Sequence, residues 1–175
     1  YYLRDTMATG SASTLAGAYT ASIGCTRNGS AFAPAGASPT WNVTAAANDQ
    51  IVCTLTNTAR PILRLSKELP DGRLQAADQF ALAIAGTGAG AGASVTTTGA
   101  TTLPTQVAIV SPATAGASYT FSETAAGGAN LADYTTTYTC TNARSGGSAP
   151  SGTATSFVFV PAAGDQVSCV FRNVR

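Results

Sequence analysis

A chain of 175 residues with 10% charged residues and a net charge of +1 offers no basic stripe for nucleic acid and no acidic or basic tail. It has no histidine, which excludes most zinc and copper sites and the usual acid–base triads. No run approaches the roughly 20 apolar residues of a membrane helix. Tyr1-Tyr2-Leu3-Arg4-Asp5 lacks the basic start and apolar core of a signal peptide, so any signal is expected to have been removed already. The apolar share of 45% is carried largely by alanine. The Thr-, Ser- and Gly-rich remainder favours extended chain and a secreted structural protein.

Taken in chain order, the reading is β throughout. Residues 1–60 contain YYLRDTMATG, AYTASIGCTRN (Ala18–Asn28) and NDQIVCTLTNTAR (Asn48–Arg60). ILRLSKEL then alternates apolar and polar from Ile62 to Leu69, and QFALAIAG alternates around Phe80, Leu82 and Ile84. TQVAIV, SYTFSET, DYTTTYTCTN, TSFVFVP and DQVSCVFRNV follow. Gly/Ala/Ser/Pro clusters separate them, among them GTGAGAGAS (Gly86–Ser94), read as a hairpin loop, and RSGGSAPSGT (Arg144–Thr153). Seven short strands over residues 61–175 predict an all-β, immunoglobulin-like or transthyretin-like Greek-key β-sandwich.

The chain also repeats itself. AYTASIGCTRN matches DYTTTYTCTNA, NDQIVCTLTNTAR matches GDQVSCVFRNVR, and YYLRDTMATG matches YTFSETAAGG in pattern. Cys25 aligns with Cys140 and Cys53 with Cys169, so residues 1–60 correspond to about 119–175. Residues 61–118 have no counterpart. The expected organisation is therefore a complete sandwich over 61–175 preceded by a half unit, 1–60, completed by another copy or by an upstream repeat. The copied spacing fits Cys25–Cys53 and Cys140–Cys169 disulfides formed in an oxidising compartment, while cross-pairing between the halves remains open at this level.

LRLSKELPDGR, ADQFALAIAG, YTFSETAAGGANLADYTTTYTC and VSCVFRN together resemble the Cna-B or SpaA-like family of prealbumin-like domains, found in bacterial surface adhesins, pilins and fibres. They span essentially all of 61–175 in the family's order. The resemblance implies an isopeptide bond between Lys67 on the first strand and Asn173 on the last, with Glu123 as the acid that moves the proton. Lys67 is the only lysine of the chain. The half unit has Asp5 at the Glu123 position and Asn57 at the Asn173 position, but no lysine, so a lysine could reach it only on a front half from elsewhere.

The resemblance implies a non-enzymatic structural subunit without cofactor, located outside the cell or on its surface. Its partners would be further copies of itself, joined head to tail, with strand complementation as one route. The short step from Asn57 to Pro61 would favour end-to-end stacking. The alternative is an adhesin domain that binds a glycan or host protein through loops 27–40 and 144–153. Asn28-Gly29-Ser30 and Asn42-Val43-Thr44 fit the N-glycosylation pattern, and Trp41 with the tyrosines is a candidate sugar platform.

Overall fold

The computed structural model describes residues 1–87, 92–100, 102–103 and 105–175. The chain divides into two compact units, Tyr1–Ala59 and Arg60–Arg175.

Unit 1 comprises β1 (Tyr2–Arg4), the helical turn α1 (Leu15–Ala18), β2 (Tyr19–Arg27), β3 (Ser30–Phe32), β4 (Ala35–Ala37), β5 (Thr40–Asn42) and β6 (Ile51–Ala59). These strands form two three-stranded sheets, ordered β1-β5-β4 and β3-β2-β6. The long β2–β6 ladder is antiparallel and sets Cys25 directly opposite Cys53. The loop read between Arg27 and Thr40 thus contains two short strands. Trp41 and Val43 are buried, so Trp41 is a core side chain and not a sugar platform.

Unit 2 comprises β7 (Ile62–Glu68), β8 (Gln79–Gly86), β9 (Gly92–Thr96), β10 (Ala108–Val110), β11 (Tyr119–Ala126), β12 (Thr135–Asn142), β13 (Ser151–Gly152), β14 (Ser156–Phe159) and β15 (Gln166–Val174). One sheet is ordered β10-β7-β15-β12-β13 and the other β14-β11-β8-β9. Among the described residues all ladders are antiparallel except β15–β7, which is parallel and places the last strand beside the first. The two sheets enclose one main core.

Strand alternation builds that core, because every second side chain points to the same face of a sheet. Leu63 and Leu65, Leu82 and Ile84, Tyr119 and Phe121, and Val167, Cys169 and Phe171 are all buried in one cluster. Burying each large apolar side chain of this kind contributes roughly 1.5–3 kcal/mol. Phe157 stacks on Phe121 at 4.9 Å between ring centroids and on Tyr138 at 4.0 Å, extending the cluster outward. Gly86 lies opposite Tyr119 in the β11–β8 ladder, and a Cβ there would run into the tyrosine ring.

Two joints hold more structure than their composition predicts. The Gly86–Ser94 stretch, read wholly as a loop, ends in β9, which pairs with β8; its centre, 88–91, lies outside the described residues. Ser151 and Gly152, in the stretch read as a joint, pair with Thr139 and Tyr138. Such short edge segments carry too few residues to show a period of two, and their pairing is decided by the neighbouring strand.

The NDQ and GDQ repeats are explained by turn chemistry. Asn48 and Gly164 adopt φ of 68° and 79°, the left-handed region that Gly and Asn tolerate best. The following aspartates close the turns: Asp49 accepts from the Ala46 N–H and Asp165 from the Ala162 N–H, each at 2.8 Å. Asp165 also accepts from Asn142 and Arg144. Burial pushes the Asp165 carboxyl up, but these donors outweigh it and hold it below the usual carboxylate range. A depressed folded-state pKa stabilises the protein above the ordinary carboxylate range, and this contribution disappears as pH falls through the folded value. Asp165→Asn is therefore expected to cost about 1.5–3 kcal/mol at neutral pH. The gap to wild type should narrow in acid, as read by urea unfolding across pH.

Candidate functional site

Three strands of unit 2 each place one polar residue on an otherwise apolar inward face. On β7 the inward series is Leu63, Leu65, Lys67; on β11 it is Tyr119, Phe121, Glu123; on β15 it is Val167, Cys169, Phe171, Asn173. The parallel β15–β7 register sets Phe171 opposite Lys67, so Asn173 lies one step further along the same face. Glu123 enters from the facing sheet, paired on its own ladder with Leu82.

The three side chains meet out of reach of solvent. Lys67 Nζ lies 2.6 Å from Glu123 Oε1, and neither side chain has measurable exposure. Asn173 Nδ2 donates to the same oxygen at 2.9 Å. Amine and carboxamide are thus neighbours on one carboxyl oxygen. Lys67 Nζ has no acceptor at a hydrogen-bonding angle, and Glu123 Oε2 and Asn173 Oδ1 have no hydrogen-bond partner. Unpaired polar atoms at a fully buried site are costly. Each of the three residues carries such an atom, although Lys67 Nζ keeps its ionic contact with Glu123.

The surroundings favour neutral groups. Lys67 Nζ stands 4.6 Å over the Phe80 ring, which packs edge-on against Tyr134 in a second apolar cluster with Leu69. Burial lowers the Lys67 pKa from 10.5 to about 8, against the opposing pull of Glu123. Burial likewise raises Glu123, against Lys67 and the Asn173 hydrogen bond. Desolvation disfavours both charges, so the pair is pushed toward neutral amine and protonated acid. That is the state in which an amine is nucleophilic and an acid can donate.

Alternation marks Phe80 as the first inward position of QFALAIAG but not as the ring beside the amine. Nothing in the sequence marks the buried Asp78, which accepts from the Tyr134 hydroxyl at 2.7 Å. That hydroxyl in turn accepts from the Leu74 N–H, holding the 69–78 connection beside the lysine. A tyrosine at a strand entrance is too common for its partner to be read from the chain alone.

The disulfides join Cys25 to Cys53 and Cys140 to Cys169, within the β2–β6 and β12–β15 ladders respectively. In unit 1, Asp5 has the backbone position of Glu123: its N–H donates to Pro39 O as that of Glu123 donates to Thr155 O. Asn57 lies opposite Ala21 as Asn173 lies opposite Thr136, but Asn57 is exposed. Among the described residues no group of three His, Cys, Asp or Glu side chains could hold a metal ion. No helix among them is long and apolar enough to cross a membrane.

Fold and site define a disulfide-bonded β-sandwich with a buried lysine–carboxyl–carboxamide cluster between its first and last strands. The sequence matches the SpaA_3 prealbumin-like fold domain over residues 1–59 and again over 62–175, and the chain belongs to that family. Among solved structures it is similar to the major pilin T3.2 of Streptococcus pyogenes, with 12% identity and a TM-score of 0.51, covering 90% of this chain and 67% of the pilin. It is also similar to another Streptococcus pyogenes major pilin structure, with 14% identity and a TM-score of 0.44 over 70% of this chain. The chain spans 50% of that pilin's length. The first of these likenesses bears on the fold alone. No curated protein sequence matches the chain.

Proposed function

We propose that this chain is a structural segment of an extracellular bacterial fibre or surface stalk, joined head to tail with further copies, and that unit 2 is locked by a Lys67–Asn173 isopeptide bond. The observation that carries the reading is the fully buried Lys67–Glu123–Asn173 cluster, which bridges the first and last strands of the unit. The family membership and the two disulfides support it, since disulfides persist outside the reducing cytosol. The family is structural rather than catalytic, and the one reaction proposed is performed by the protein on itself.

In that reaction the neutral Lys67 amine attacks Cγ of Asn173 while Glu123 donates its proton to the carboxamide. A new C–N bond forms to Nζ and the bond from Cγ to Nδ2 breaks. Glu123 carries a proton from Nζ to Nδ2, and ammonia leaves. Fixed juxtaposition supplies much of the rate, because the reactants are already neighbours. The neutral pair and the ion pair hold the same number of protons, so their ratio does not change with pH. Bond formation after refolding should therefore follow a bell. It falls in acid, where both groups are protonated, and in alkali, where both have lost the proton. With Lys67 lowered to about 8, the alkaline limb should begin well below the titration of an ordinary lysine. Quenched refolding followed by intact mass measurement reads this profile.

The mechanical role has a direct test. A bond between Lys67 and Asn173 routes tension from β7 straight into β15, bypassing residues 68–172. Pulled by its ends in a single-molecule experiment, the wild-type chain should show no extension from that span. Lys67→Arg should release it, apart from residues 141–168, which the Cys140–Cys169 disulfide keeps closed. Equal extension in both proteins would overturn the structural role assigned to the bond.

A further inference from the structure

One buried acid of unit 2 takes no part in the lysine chemistry. Asp78 is 3% exposed and ends the connection from β7 to β8, whose residues 70–77 are exposed or half-buried. At the other end of this strap Leu69 is fully buried, and its N–H donates to Thr102 O. Tyr134, one residue before β12, reaches the strap from the opposite sheet. Its hydroxyl donates to Asp78 Oδ2 at 2.7 Å and accepts from the Leu74 N–H at 2.8 Å. The same Asp78 oxygen accepts from the Gln75 N–H at 3.1 Å. Because Asp78 leads into β8 and Tyr134 into β12, one hydroxyl ties the two sheets together as well as the strap.

The braced elements are those that wall in the lysine. Leu69, Phe80 and Tyr134 form one buried cluster, and Lys67 Nζ stands 4.6 Å over the Phe80 ring. The Tyr134 ring packs edge-on against that same ring at 5.4 Å. Burial lowers the Lys67 pKa most, Glu123 opposes it, and the Arg73 cation in the middle of the strap adds to the lowering. The Arg73 guanidinium is anchored on Gly99 O and Gln79 Oε1 at 2.9 and 3.2 Å. Burial raises the Tyr134 pKa, the Leu74 bond opposes the rise and Asp78 adds to it. The hydroxyl therefore keeps its proton, and remains a donor, at the pH where the amine becomes neutral.

We propose that the Tyr134 hydroxyl is a latch: pinned between Asp78 and Leu74, it holds the 69–78 strap shut over the Lys67 amine and keeps water from it. Tyr134 and Asp78 are thus positioning residues that touch neither reacting atom. Removing the hydroxyl leaves a buried carboxyl without its donor and the Leu74 N–H without its acceptor, so the strap loses its hold on the opposite sheet. Water entering the site would solvate both charges and favour the ammonium–carboxylate pair over neutral amine and protonated acid. The latch itself stands whether or not the lysine is crosslinked, whereas its effect on bond formation rests on the proposed function.

Lys67 is the only lysine, so reductive methylation with formaldehyde can modify two amines, the N-terminus and Lys67. The test follows the second methylation by mass in the Asn173→Ala chain, where the amine is free of any crosslink. Adding Tyr134→Phe, which retains the ring that packs on Phe80, should speed it about tenfold, the factor set on a local opening by one lost buried hydrogen bond. Asp78→Ala should do the same, whereas Asp78→Asn keeps an acceptor for the hydroxyl and should stay near the background rate. Tyr119→Phe deletes another buried hydroxyl, the one that accepts from the Thr114 N–H, and should leave the rate unchanged. With Asn173 restored, Tyr134→Phe should slow the loss of ammonia after refolding by about 10- to 100-fold. A second methylation no faster with Tyr134→Phe, or equally faster with Tyr119→Phe, overturns the latch and leaves the Lys67–Asn173 reading standing. A wild-type chain that never loses ammonia, with Lys67 opened to formaldehyde by Tyr134→Phe, overturns the bond and upholds the latch.

Discussion

Glu123→Ala is expected to leave the chain one ammonia heavier than the wild-type protein, after correction for the substitution itself, and to lower the stability of unit 2 by about 3–5 kcal/mol. Two losses combine. Without the carboxyl, no group can move the proton from Nζ to the departing nitrogen, so the bond does not form. The Lys67 amine and the Asn173 carboxamide are also left in a fully buried site without the oxygen that both of them contact. Glu123→Gln separates the two effects. It keeps the shape and an acceptor for Asn173 but cannot serve as the acid, so it should lose the bond with a smaller stability deficit. Intact mass and urea unfolding of the three proteins read both quantities. A Glu123→Ala protein with the wild-type mass and midpoint would show that the carboxyl is a bystander.

The second large effect concerns the Cys25–Cys53 disulfide. Replacing both cysteines by alanine is expected to unfold unit 1 outright, whereas the same change at Cys140 and Cys169 should lower the melting temperature of a unit that remains folded. Each cystine closes a loop spanning 28 or 29 residues of sequence separation. In the chain-entropy account that is worth about 3–4 kcal/mol. The contributions are alike, but the cores that support them differ. Unit 2 has two clusters of buried apolar side chains. In unit 1 the buried hydrophobic residues are Cys25, Trp41 and Val43. Below a certain core size a small domain depends on its staples. Trp41, the only tryptophan, is 5% exposed and reports on unit 1 alone. Its emission should shift to the red in the Cys25/Cys53 variant and stay unchanged in the Cys140/Cys169 variant. An unshifted emission in the first variant would contradict the claim.

Much of this fold is legible in the chain because its strands alternate cleanly. ILRLSKEL, QFALAIAG, SYTFSET and DQVSCVFRNV all show a period of two, and each appears as a strand within a few residues of its expected ends. The alternation also contains the clue to the site. Lys67, Glu123 and Asn173 each continue an apolar inward series, which places them inside before any contact is known. What alternation does not reveal is that all three series turn polar at the same level of the sandwich. That depends on registers between strands distant in sequence, with Phe171 set opposite Lys67 and Glu123 opposite Leu82, and only the β15–β7 and β11–β8 ladders display it. Phe80 is legible as a core residue but not as the ring beneath the amine, for the same reason. The short strands β9 and β13 escape because they offer at most one large inward side chain, Val95, and one such residue marks no period.

The most direct test of the account is the mass of the intact protein, measured with its disulfides formed, followed by proteolysis. The account predicts a chain one ammonia lighter than its sequence and two disulfides require, and a branched peptide joining the segment around Lys67 to the segment around Asn173. A chain at the full disulfide-bonded mass, yielding the Lys67 and Asn173 peptides separately, would contradict it.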